Sequence, residues 1–411
     1  MEDTQYDLVV FGATSFVGSI LTDYLAEIFG TDGRELRWAV AGRSRDKLAA
    51  LKKTLGERGE SLPMVIADAC DDQSLQRLCA DTRVVVSTVG PYALYGEPLV
   101  RACVESGTDY CDLTGEIQWI RRMLGRYEQR ARETGTRIVH CCGFDSIPSD
   151  VGVYFLQQHA RERFGEPATR VKMRVRAIRG GMSGGTVASV MNVIQEARRD
   201  RQLRRELADP YSLCPKGHRM AARQPRIRFA AQDPDFGAWV APFIMGPVNT
   251  RVVLRSNALS DHAYGVDFQY DEALMTGRGF RGRMTATVTA LATGALAMAA
   301  AVPPLRWLLK RFVLPGPGEG PSPEAQEKGF YDLRFLGRTP DGRELRVQVT
   351  GDRDPGYGST GKMLGQAAAC LALDVDRDVA PGGFWTPSTI FGDHLLRRLE
   401  THAGLVFKVQ G

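Results

Sequence analysis

The first 145 residues alternate between short apolar runs and longer segments of helical character, and this alternation constrains the fold more than any other feature. The apolar runs have the length of strands: "YDLVVFG", "ELRWAVAGR", "MVIAD", "RVVVSTVG", "DYCDLTG" and "RIVHCCG". The segments between them are Val17–Phe29, Arg45–Leu55, Asp72–Ala80, Pro98–Ser106 and Ile117–Thr134. Strands that are apolar nearly throughout are typical of a parallel sheet with helices on both faces. The alternation therefore predicts a Rossmann-type, doubly wound parallel sheet over residues 1–145.

The chain changes in character after this domain. From about residue 169 the strand-like runs alternate apolar and polar residues, as in "RVKMRVRAIRG", "NTRVVLRSNAL", "YGVDFQYDEAL", "YDLRFLGR" and "RELRVQVTGD". Such alternation is typical of a largely antiparallel sheet with one solvated face. We predict a second, α+β domain over residues 146–355, with a Gly/Pro-rich loop near 315–329, and a C-terminal helical segment over 356–411.

Composition and charge exclude several classes of protein. The 411 residues suffice for two domains, and 43% hydrophobic with 25% charged residues is typical of a soluble globular chain. A net charge of +5 from 53 basic and 48 acidic residues is too weak to indicate nucleic-acid binding, although it suits an anionic cofactor or membrane surface. The cysteines form no C-x-x-C pair and the histidines no H-x-x-x-H pair, so we expect reduced thiols and no metal site. The first ten residues lack the features of a signal peptide, and we expect a cytoplasmic protein.

The stretch "FGATSFVG" follows the first predicted strand and opens the first predicted helix. In a Rossmann-type domain such a turn faces a pyrophosphate, which binds the N–H groups at the helix N-terminus. Two glycines suit a tight turn and close packing of the helix, but a serine replaces the usual middle glycine. Its hydroxyl would either cap the helix or donate to the phosphate. The predicted cofactor contacts in this turn are Gly12, Thr14, Ser15, Phe16, Val17 and Gly18.

The second predicted strand ends in "AGRS", which indicates the form of the dinucleotide. NAD-binding folds usually carry a carboxylate there, which accepts a hydrogen bond from the ribose 2′-hydroxyl. Here Arg43 and Ser44 follow the strand, and a guanidinium suits a 2′-phosphate. NADP(H) is therefore favoured over NAD(H). The alternative is that Arg43 is only a solvated residue at the start of a helix.

The loops after the next strands would complete the cofactor cleft, because ligands bind at the carboxyl ends of parallel strands. Asp68 and Ala69 follow the third strand and would border the adenine, unless Asp68 only caps a helix or makes a turn. Small residues after the fourth strand would let the nicotinamide half cross the sheet, and the substrate wall would begin beside them. The residues concerned are Thr88, Val89, Gly90, Pro91 and Tyr92.

A segment from Met284 to Leu305 carries no charge over about the length of a bilayer span. Its alanines, threonines and glycines are poorly suited to a membrane interior, and Pro303 and Pro304 interrupt the run. Residues 302–314, which are short, basic and apolar, would suit peripheral contact with an anionic membrane face. The alternative is burial of the segment within the fold or in a dimer interface.

Several of these stretches together resemble one family. "GATSFVG", "AGRS", "TVGPYALYGEPLVRACVESGTDYCDLTGE" and "GFDSIPSD" resemble the saccharopine dehydrogenase-like oxidoreductases, and most of all their trans-acting enoyl reductase branch. The resemblance implies an NADP-binding Rossmann domain, a second domain for substrate binding or dimerisation, and a C-terminal segment that packs back on the Rossmann domain. A homodimer through the sheet of the second domain is also implied. Members of this branch act in trans with polyketide synthases and reduce a carbon–carbon double bond during lipid assembly.

These observations favour an NADPH-dependent enoyl reductase of an unsaturated acyl or polyketide-type lipid intermediate, presented as a small molecule or on a carrier. The proton would come from water or from Tyr92, Tyr110 or Asp145. One alternative is a nucleotide-binding scaffold or sensor at a membrane surface, peripheral on the inner face of the plasma membrane. The other is a saccharopine-type amino acid dehydrogenase, whose arginine cluster would have to come from Arg174, Arg176 and Arg179, residues that alternate along one predicted strand and resemble its exposed face.

Overall fold

Two seven-stranded sheets form the scaffold, and each gains an edge strand from the C-terminal end of the chain. The computed structural model describes residues 4–181, 184–312 and 320–410. The N-terminal part supplies six strands and the helices between them. The strands are β1 (Tyr6–Phe11), β2 (Trp38–Gly42), β3 (Met64–Ile66), β4 (Thr82–Ser87), β5 (Asp109–Asp112) and β6 (Arg137–Val139). The helices are α1 (Phe16–Ile28), α2 (Arg45–Thr54), α3 (Asp72–Ala80), α4 (Tyr92–Tyr95), α5 (Glu97–Ser106) and α6 (Ile117–Thr134).

The middle of the chain builds the second sheet and the helices around it. Its strands are β7 (Arg170–Arg179), β8 (Ala231–Asp233), β9 (Ala238–Pro242), β10 (Gln269–Gly277), β11 (Phe330–Arg338) and β12 (Glu344–Gly351). Its helices are α7 (Ile147–Phe164), α8 (Gly184–Arg199), α9 (Arg201–Glu206), α10 (Gly246–Leu259), α11 (Gly279–Ala301), α12 (Pro303–Phe312) and α13 (Pro323–Glu327). The C-terminal part adds α14 (Gly358–Leu373), β13 (Gly383–Trp385), α15 (Pro387–His402) and β14 (Leu405–Gln410).

The first sheet has the order β13-β6-β5-β4-β1-β2-β3, and all its neighbouring strands are parallel. The second has the order β14-β12-β11-β7-β10-β9-β8, and only the pair β7–β10 is parallel. The order 3-2-1-4-5-6 in the first sheet is that of a dinucleotide-binding domain. The predicted fold class, a Rossmann-type sheet with a second, largely antiparallel sheet, is confirmed.

The C-terminal segment belongs to both domains. Helix α14 packs on α1 and on the strands β1, β4 and β5, so it covers one face of the parallel sheet. Strand β13 adds to the edge of that sheet, whereas β14 pairs with β12 in the second sheet. The prediction of a purely helical segment over 356–411 omitted these two strands. Strand β13 has only three residues, too few to show a period. Part of the predicted Gly/Pro-rich loop near 315–329, residues 315–319, lies outside the described residues, and its remainder contains α13.

The prediction of a strand at "NTRVVLRSNAL" was wrong, because this stretch lies within the helix α10. The helix is buried on nearly every side. Because several of its buried residues are polar, its apolar residues do not recur with the 3.6-residue period of a helix. Arg251 and Arg255 are both buried, and their guanidinium groups donate to backbone carbonyls, including those of Leu207 and Phe384. Alternation of polar and apolar residues therefore reflected buried hydrogen-bonding side chains rather than a half-exposed sheet.

A buried ion pair fixes the C-terminal segment to the parallel sheet. Both side chains of Arg137 in β6 and Asp109 in β5 are fully buried, with Nη2 at 2.5 Å from Oδ2. The Arg137 guanidinium also donates to the carbonyls of Leu371 (3.1 Å) and Val375 (2.8 Å), at the end of α14. The carboxylate receives a further bond from Arg377 at 3.0 Å. A cation at a helix C-terminus stabilises the helix, and here it also satisfies carbonyls that have no helical partner.

We expect Arg137→Met to lower the free energy of unfolding by about 3–5 kcal/mol, because it leaves a buried carboxylate undercompensated and two carbonyls without donors. Urea unfolding followed by circular dichroism measures this change. Arg130→Met is the matched control, since the ion pair of Arg130 with Glu133 is exposed and is worth at most about 1 kcal/mol. Equal effects of the two substitutions would contradict the role given to Arg137.

Candidate active site

The turn after β1 has a shape that only glycine allows at two positions. Gly12 has φ +87°, and a Cβ there would lie 2.6 Å from the Val89 side chain. A Cβ on Gly18 would lie 2.2 Å from the carbonyl oxygen of Gly12. The first turn of α1 therefore sits directly on the backbone that leaves β1. This close approach places the N-terminus of α1 at the carboxyl end of the parallel sheet, where an anion binds in such domains.

Ser15 caps the helix, as one of the two predicted alternatives required. Its Oγ accepts a hydrogen bond from the N–H of Gly18 at 2.9 Å and lies 3.0 Å from Thr88 Oγ1. Thr88 in turn donates to the carbonyl of Gly12 at 2.9 Å. The serine thus ties the turn to the end of β4, a contact that sequence reasoning missed. In the described part of the chain the N–H groups of Phe16 and Val17 have no acceptor, and they remain free for a phosphate.

The loop after β2 fits a 2′-phosphate. Arg43 is exposed, and its guanidinium has no ion-pair partner within the described ranges. Ser44 caps α2, accepting from the N–H of Lys47 at 3.4 Å. The strand itself ends in glycine, so no carboxylate stands where a ribose 2′-hydroxyl would need one. The residues present therefore suit NADP(H) better than NAD(H).

The remaining predicted cofactor residues lie at the same edge of the sheet but differ in what their side chains do. Asp68 makes a turn: its Oδ1 accepts from the N–H of Cys70 at 3.0 Å, and its own N–H donates to Ser74 Oγ. This is the structural alternative given for Asp68, and the carboxylate is half-buried. Thr14 and Gly90 are exposed, whereas Ala69, Val89 and Pro91 are partly buried along the edge.

The structure corrects two of the three candidate proton donors. The hydroxyl of Tyr92 is buried and donates to the carbonyl of Ser87 at 2.8 Å. The hydroxyl of Tyr110 is also buried and donates to Asp112 Oδ2 at 2.9 Å. Desolvation by burial raises the pKa of both phenols well above 10. Neither hydroxyl faces a cleft, because both side chains point into the core beneath the strand ends.

Asp112 is instead the centre of a buried hydrogen-bonding cluster that sequence reasoning missed. Besides Tyr110, its carboxylate contacts His140 Nδ1 at 2.7 Å and accepts from the N–H groups of Thr114 (3.0 Å) and Cys141 (3.3 Å). These partners come from the loops after β5 and β6. The contact depends on the pairing of those two strands, which no local pattern reveals. The cluster fixes the two loops relative to each other.

Asp145 lies in a different environment. It follows β6, is partly exposed, and has no hydrogen-bond partner among the described residues. Desolvation raises the pKa of its carboxyl group to about 6. A Cβ on Gly115 would lie 3.3 Å from Asp145 Oδ2 and within 4 Å of Met245 and Val248 in the second domain. The carboxyl group therefore lies where the loops after β5 and β6 approach Met245 and Val248 of the second domain.

Glu116 links the loop after β5 to the second domain. Glu116 is buried and accepts from the N–H groups of Tyr92 (2.8 Å) and Ala93 (3.0 Å), which caps α4. It also accepts from the hydroxyl of Ser189 in α8 at 2.8 Å. Burial raises the pKa of Glu116. The contact with Ser189 joins the second domain to the rim of the cleft.

The C-terminal segment reaches the phosphate turn from the other side. The rings of Phe16 and Tyr357 meet edge to face, with centroids 5.1 Å apart. Thr360 Oγ1 accepts from the N–H of Phe144 at 3.0 Å. The only signal for these contacts was the resemblance to the family, which implied that the C-terminal segment packs back on the Rossmann domain. The site is thus assembled from three separate stretches of the chain.

Comparison with known proteins agrees with this geometry. Residues 8–139 match the family described as saccharopine dehydrogenase NADP binding domain. A Mycobacterium tuberculosis H37Rv protein with a provisional designation as trans-acting enoyl reductase is 42% identical over 407 residues, covering 96% of this chain and 95% of that protein. The trans-acting enoyl reductase of Mycobacterium bovis BCG is 37% identical over 416 residues, covering 98% and 97%. The chain belongs to the trans-acting enoyl reductase family. Its cofactor is NADP(H), as the matched domain indicates.

A solved structure shows the same fold at low identity. The apo, histidine-tagged saccharopine dehydrogenase (L-Glu forming) from Saccharomyces cerevisiae superimposes with a TM-score of 0.53 and 14% identity. The match covers 98% of this chain and 99% of that one. Both domains of this protein therefore have the same architecture as those of saccharopine dehydrogenase.

We expect Arg43→Ala to weaken NADPH binding by roughly 10- to 100-fold, as befits the loss of a charge-assisted contact with the 2′-phosphate. NADH has no such phosphate, and its dissociation constant should change by less than about 3-fold by the same argument. Titration followed by nicotinamide fluorescence measures both constants. Lys53→Ala, which removes an exposed charge from the far end of α2, is the control. Equal losses for the two cofactors would remove the specific role of Arg43.

We expect Asp145→Asn to stabilise the protein at pH 8 by about 2 kcal/mol, allowing for partial screening of the charge by water. The folded-state pKa of about 6 exceeds the ordinary value of 3.8. The wild-type carboxyl group is therefore best tolerated below pH about 4, and that stability is lost as the pH rises through 6. The gain should vanish at pH 4 in urea unfolding. The control Asp32→Asn, at an exposed carboxylate, should show no such pH dependence. A gain in stability for Asp145→Asn that is constant with pH would contradict the raised pKa of Asp145.

Proposed function

We propose that this protein is an NADPH-dependent enoyl reductase that reduces a carbon–carbon double bond in an unsaturated acyl or polyketide-type lipid intermediate. The observation that carries the proposal is the 37–42% identity to trans-acting enoyl reductases over nearly the whole length of both proteins. That identity extends over the second domain as well as the cofactor domain. The geometry supports it, because the phosphate turn and an unpaired carboxyl group lie at the same edge of one sheet.

The reaction needs one hydride and one proton. Held by the turn after β1 and by Arg43, NADPH would supply a hydride for the β-carbon of the conjugated double bond and would leave as NADP⁺. The electron pair of the double bond then forms a C–H bond at the α-carbon with a proton. Asp145 would hold that proton, since desolvation raises its pKa to about 6 and so keeps a fraction of the carboxyl groups protonated near neutral pH. Water remains the alternative source.

The surroundings of Asp145 suit an acyl substrate. Gly115 presents no side chain beside the carboxyl group, where a Cβ would lie 3.3 Å from Oδ2. Met245 and Val248 are apolar and line the same region from the second domain. An apolar wall opposite a single acid would hold a hydrocarbon chain and limit the access of water.

The arginines required for a saccharopine-type reaction do not converge. Arg174 is buried and paired with Asp233 and Asp271, both at 2.7 Å, so its charge is already compensated. This corrects the expectation that it lies on the exposed face of its strand. Arg176 and Arg179 are exposed on β7. The three side chains offer no joint site for a substrate with several carboxylates.

The test is the oxidation of NADPH by purified protein in the presence of 2-enoyl thioesters of increasing chain length. We expect turnover with at least one of them and a kcat/KM that falls above pH 6, where Asp145 loses its proton. Asp145→Asn should lower kcat by roughly 100-fold or more while leaving the dissociation constant of NADPH unchanged. Asp32→Asn is the control. Unchanged kinetics of Asp145→Asn would assign the proton to water, and tight NADPH binding without turnover of any enoyl substrate would favour a nucleotide-binding scaffold.

A further inference from the structure

Helix α11 is apolar on all sides, yet most of its surface is exposed. It runs for 23 residues with a mean hydropathy of 1.5, and only 17% of its most apolar window is buried. At about 1.5 Å per residue such a helix is about 35 Å long, close to the thickness of a bilayer. Length and composition alone are weak grounds for a membrane span, because a core helix passes the same test. A core helix, however, is mostly buried, and this one is not.

The helix is attached to the protein along one side. Gly282, Ala286 and Ala290 form its buried face against β9 and β10. A Cβ on Gly282 would lie 2.4 Å from the carbonyl of Gly277, and Thr276 Oγ1 donates to the carbonyl of Gly282 at 2.9 Å. Near its other end Ala300 belongs to a small buried cluster with α8 and α12. A helix held in this way lies along the surface and does not extend away from the fold.

The opposite side of α11 and the neighbouring α12 form what we call the α11–α12 surface. Eight of the twenty large hydrophobic side chains that are exposed in the described residues lie there, and each is at least 43% exposed. They are Phe280, Met284, Val288, Leu291, Met298, Leu305, Trp307 and Leu308. Single exposed apolar residues are ordinary, but a concentration of this kind marks an interaction site.

The charges within the stretch that contains α11 and α12 have one sign. From Ala273 to Gly318 the sequence contains no Asp or Glu. Arg278, Arg281 and Arg283 stand at the start of α11, and Arg306 follows its end; none of these four is ion-paired with a carboxylate in the described ranges. Arg283 lies 5.5 Å from the centre of the Trp239 ring. Two more basic residues follow in the sequence before the proline-rich stretch.

The sign of the charge decides which partner fits. A second copy of this surface would bring cations against cations in either orientation, since both ends of the helix pair are basic. An anionic bilayer offers the opposite sign and an apolar layer at once. Aromatic side chains at both ends, Phe280 and Trp307, are of the kind that favours the boundary between lipid headgroups and acyl chains.

We propose that the α11–α12 surface docks the protein in plane on an anionic lipid bilayer. The helices lie along the membrane with their apolar side chains in the interfacial layer and the arginines among the headgroups. This docking does not depend on the enoyl reductase activity. The proposed membrane-contacting surface differs from the stretch 302–314 considered from sequence alone, because α11 supplies five of its eight exposed apolar side chains.

The test is flotation of the full-length protein with vesicles of phosphatidylcholine, with and without phosphatidylglycerol. The wild type should float with the anionic vesicles and at least about 10-fold less with neutral ones. The double variant Met284→Glu, Leu291→Glu should lower the bound fraction by roughly 10-fold. Val379→Glu with Val406→Glu makes the same charge change at exposed valines elsewhere, and this control should float like the wild type. Unchanged NADPH binding shows that each variant is folded.

Three results would overturn the proposal. One is a wild type that stays with the buffer in the presence of anionic vesicles, or that binds neutral and anionic vesicles equally. Another is a double variant of Met284 and Leu291 that floats as well as the wild type. The third is a wild-type dimer in lipid-free solution, seen by light scattering, that becomes monomeric in the same variant, since a second copy would then cover the surface. None of these needs a substrate, so enoyl reductase activity is judged separately.

Discussion

The buried pair of Arg137 and Asp109 holds together parts of the chain that lie more than 200 residues apart. Its guanidinium satisfies both a carboxylate between two central strands and the last carbonyls of α14. With α14 fixed on the sheet, α1 packs against α14, and the N-terminus of α1 carries the phosphate turn. The aromatic contact of Phe16 with Tyr357 depends on the same arrangement. The cofactor site of the N-terminal domain is therefore incomplete without the C-terminal segment.

Two aspartates near the strand ends show how environment separates structural from chemical roles. Asp112 is saturated: four donors or donor-capable groups surround its carboxylate, which orders the loops after β5 and β6. Asp145 stands in the second of those loops, is desolvated, and has no hydrogen-bond partner in the described part of the chain. A desolvated carboxyl group without hydrogen bonds is costly to keep ionised, which suits the proton-holding role proposed for Asp145. The cluster around Asp112 supplies the rigidity that keeps Asp145 at the cleft.

Local patterns predicted the parts of the structure in which one face or both faces are uniformly apolar. The strands β1 to β6, the glycine turn and the half-exposed strands β7, β11 and β12 follow from periodicity and from Gly12 and Gly18. The helix α10 was not predicted, because buried arginines interrupt its apolar face. The burial of the Tyr92 and Tyr110 hydroxyl groups could not be predicted either, since tyrosine occurs both in protein cores and at the surfaces of binding sites. Contacts such as Ser15 with Thr88, or Asp112 with His140, arise only when distant strands pair.

One helix connects the exposed apolar surface with the cleft. Met191 of α8 is buried against Ala300 of α11, whereas Ser189 of the same helix donates to Glu116 at the rim of the site. Glu116 in turn accepts from two backbone N–H groups at the start of α4. A displacement of α11 relative to the sheet would therefore be transmitted through α8 and Glu116 to the start of α4. The helix α8 is therefore the element through which the α11–α12 surface is joined to the start of α4.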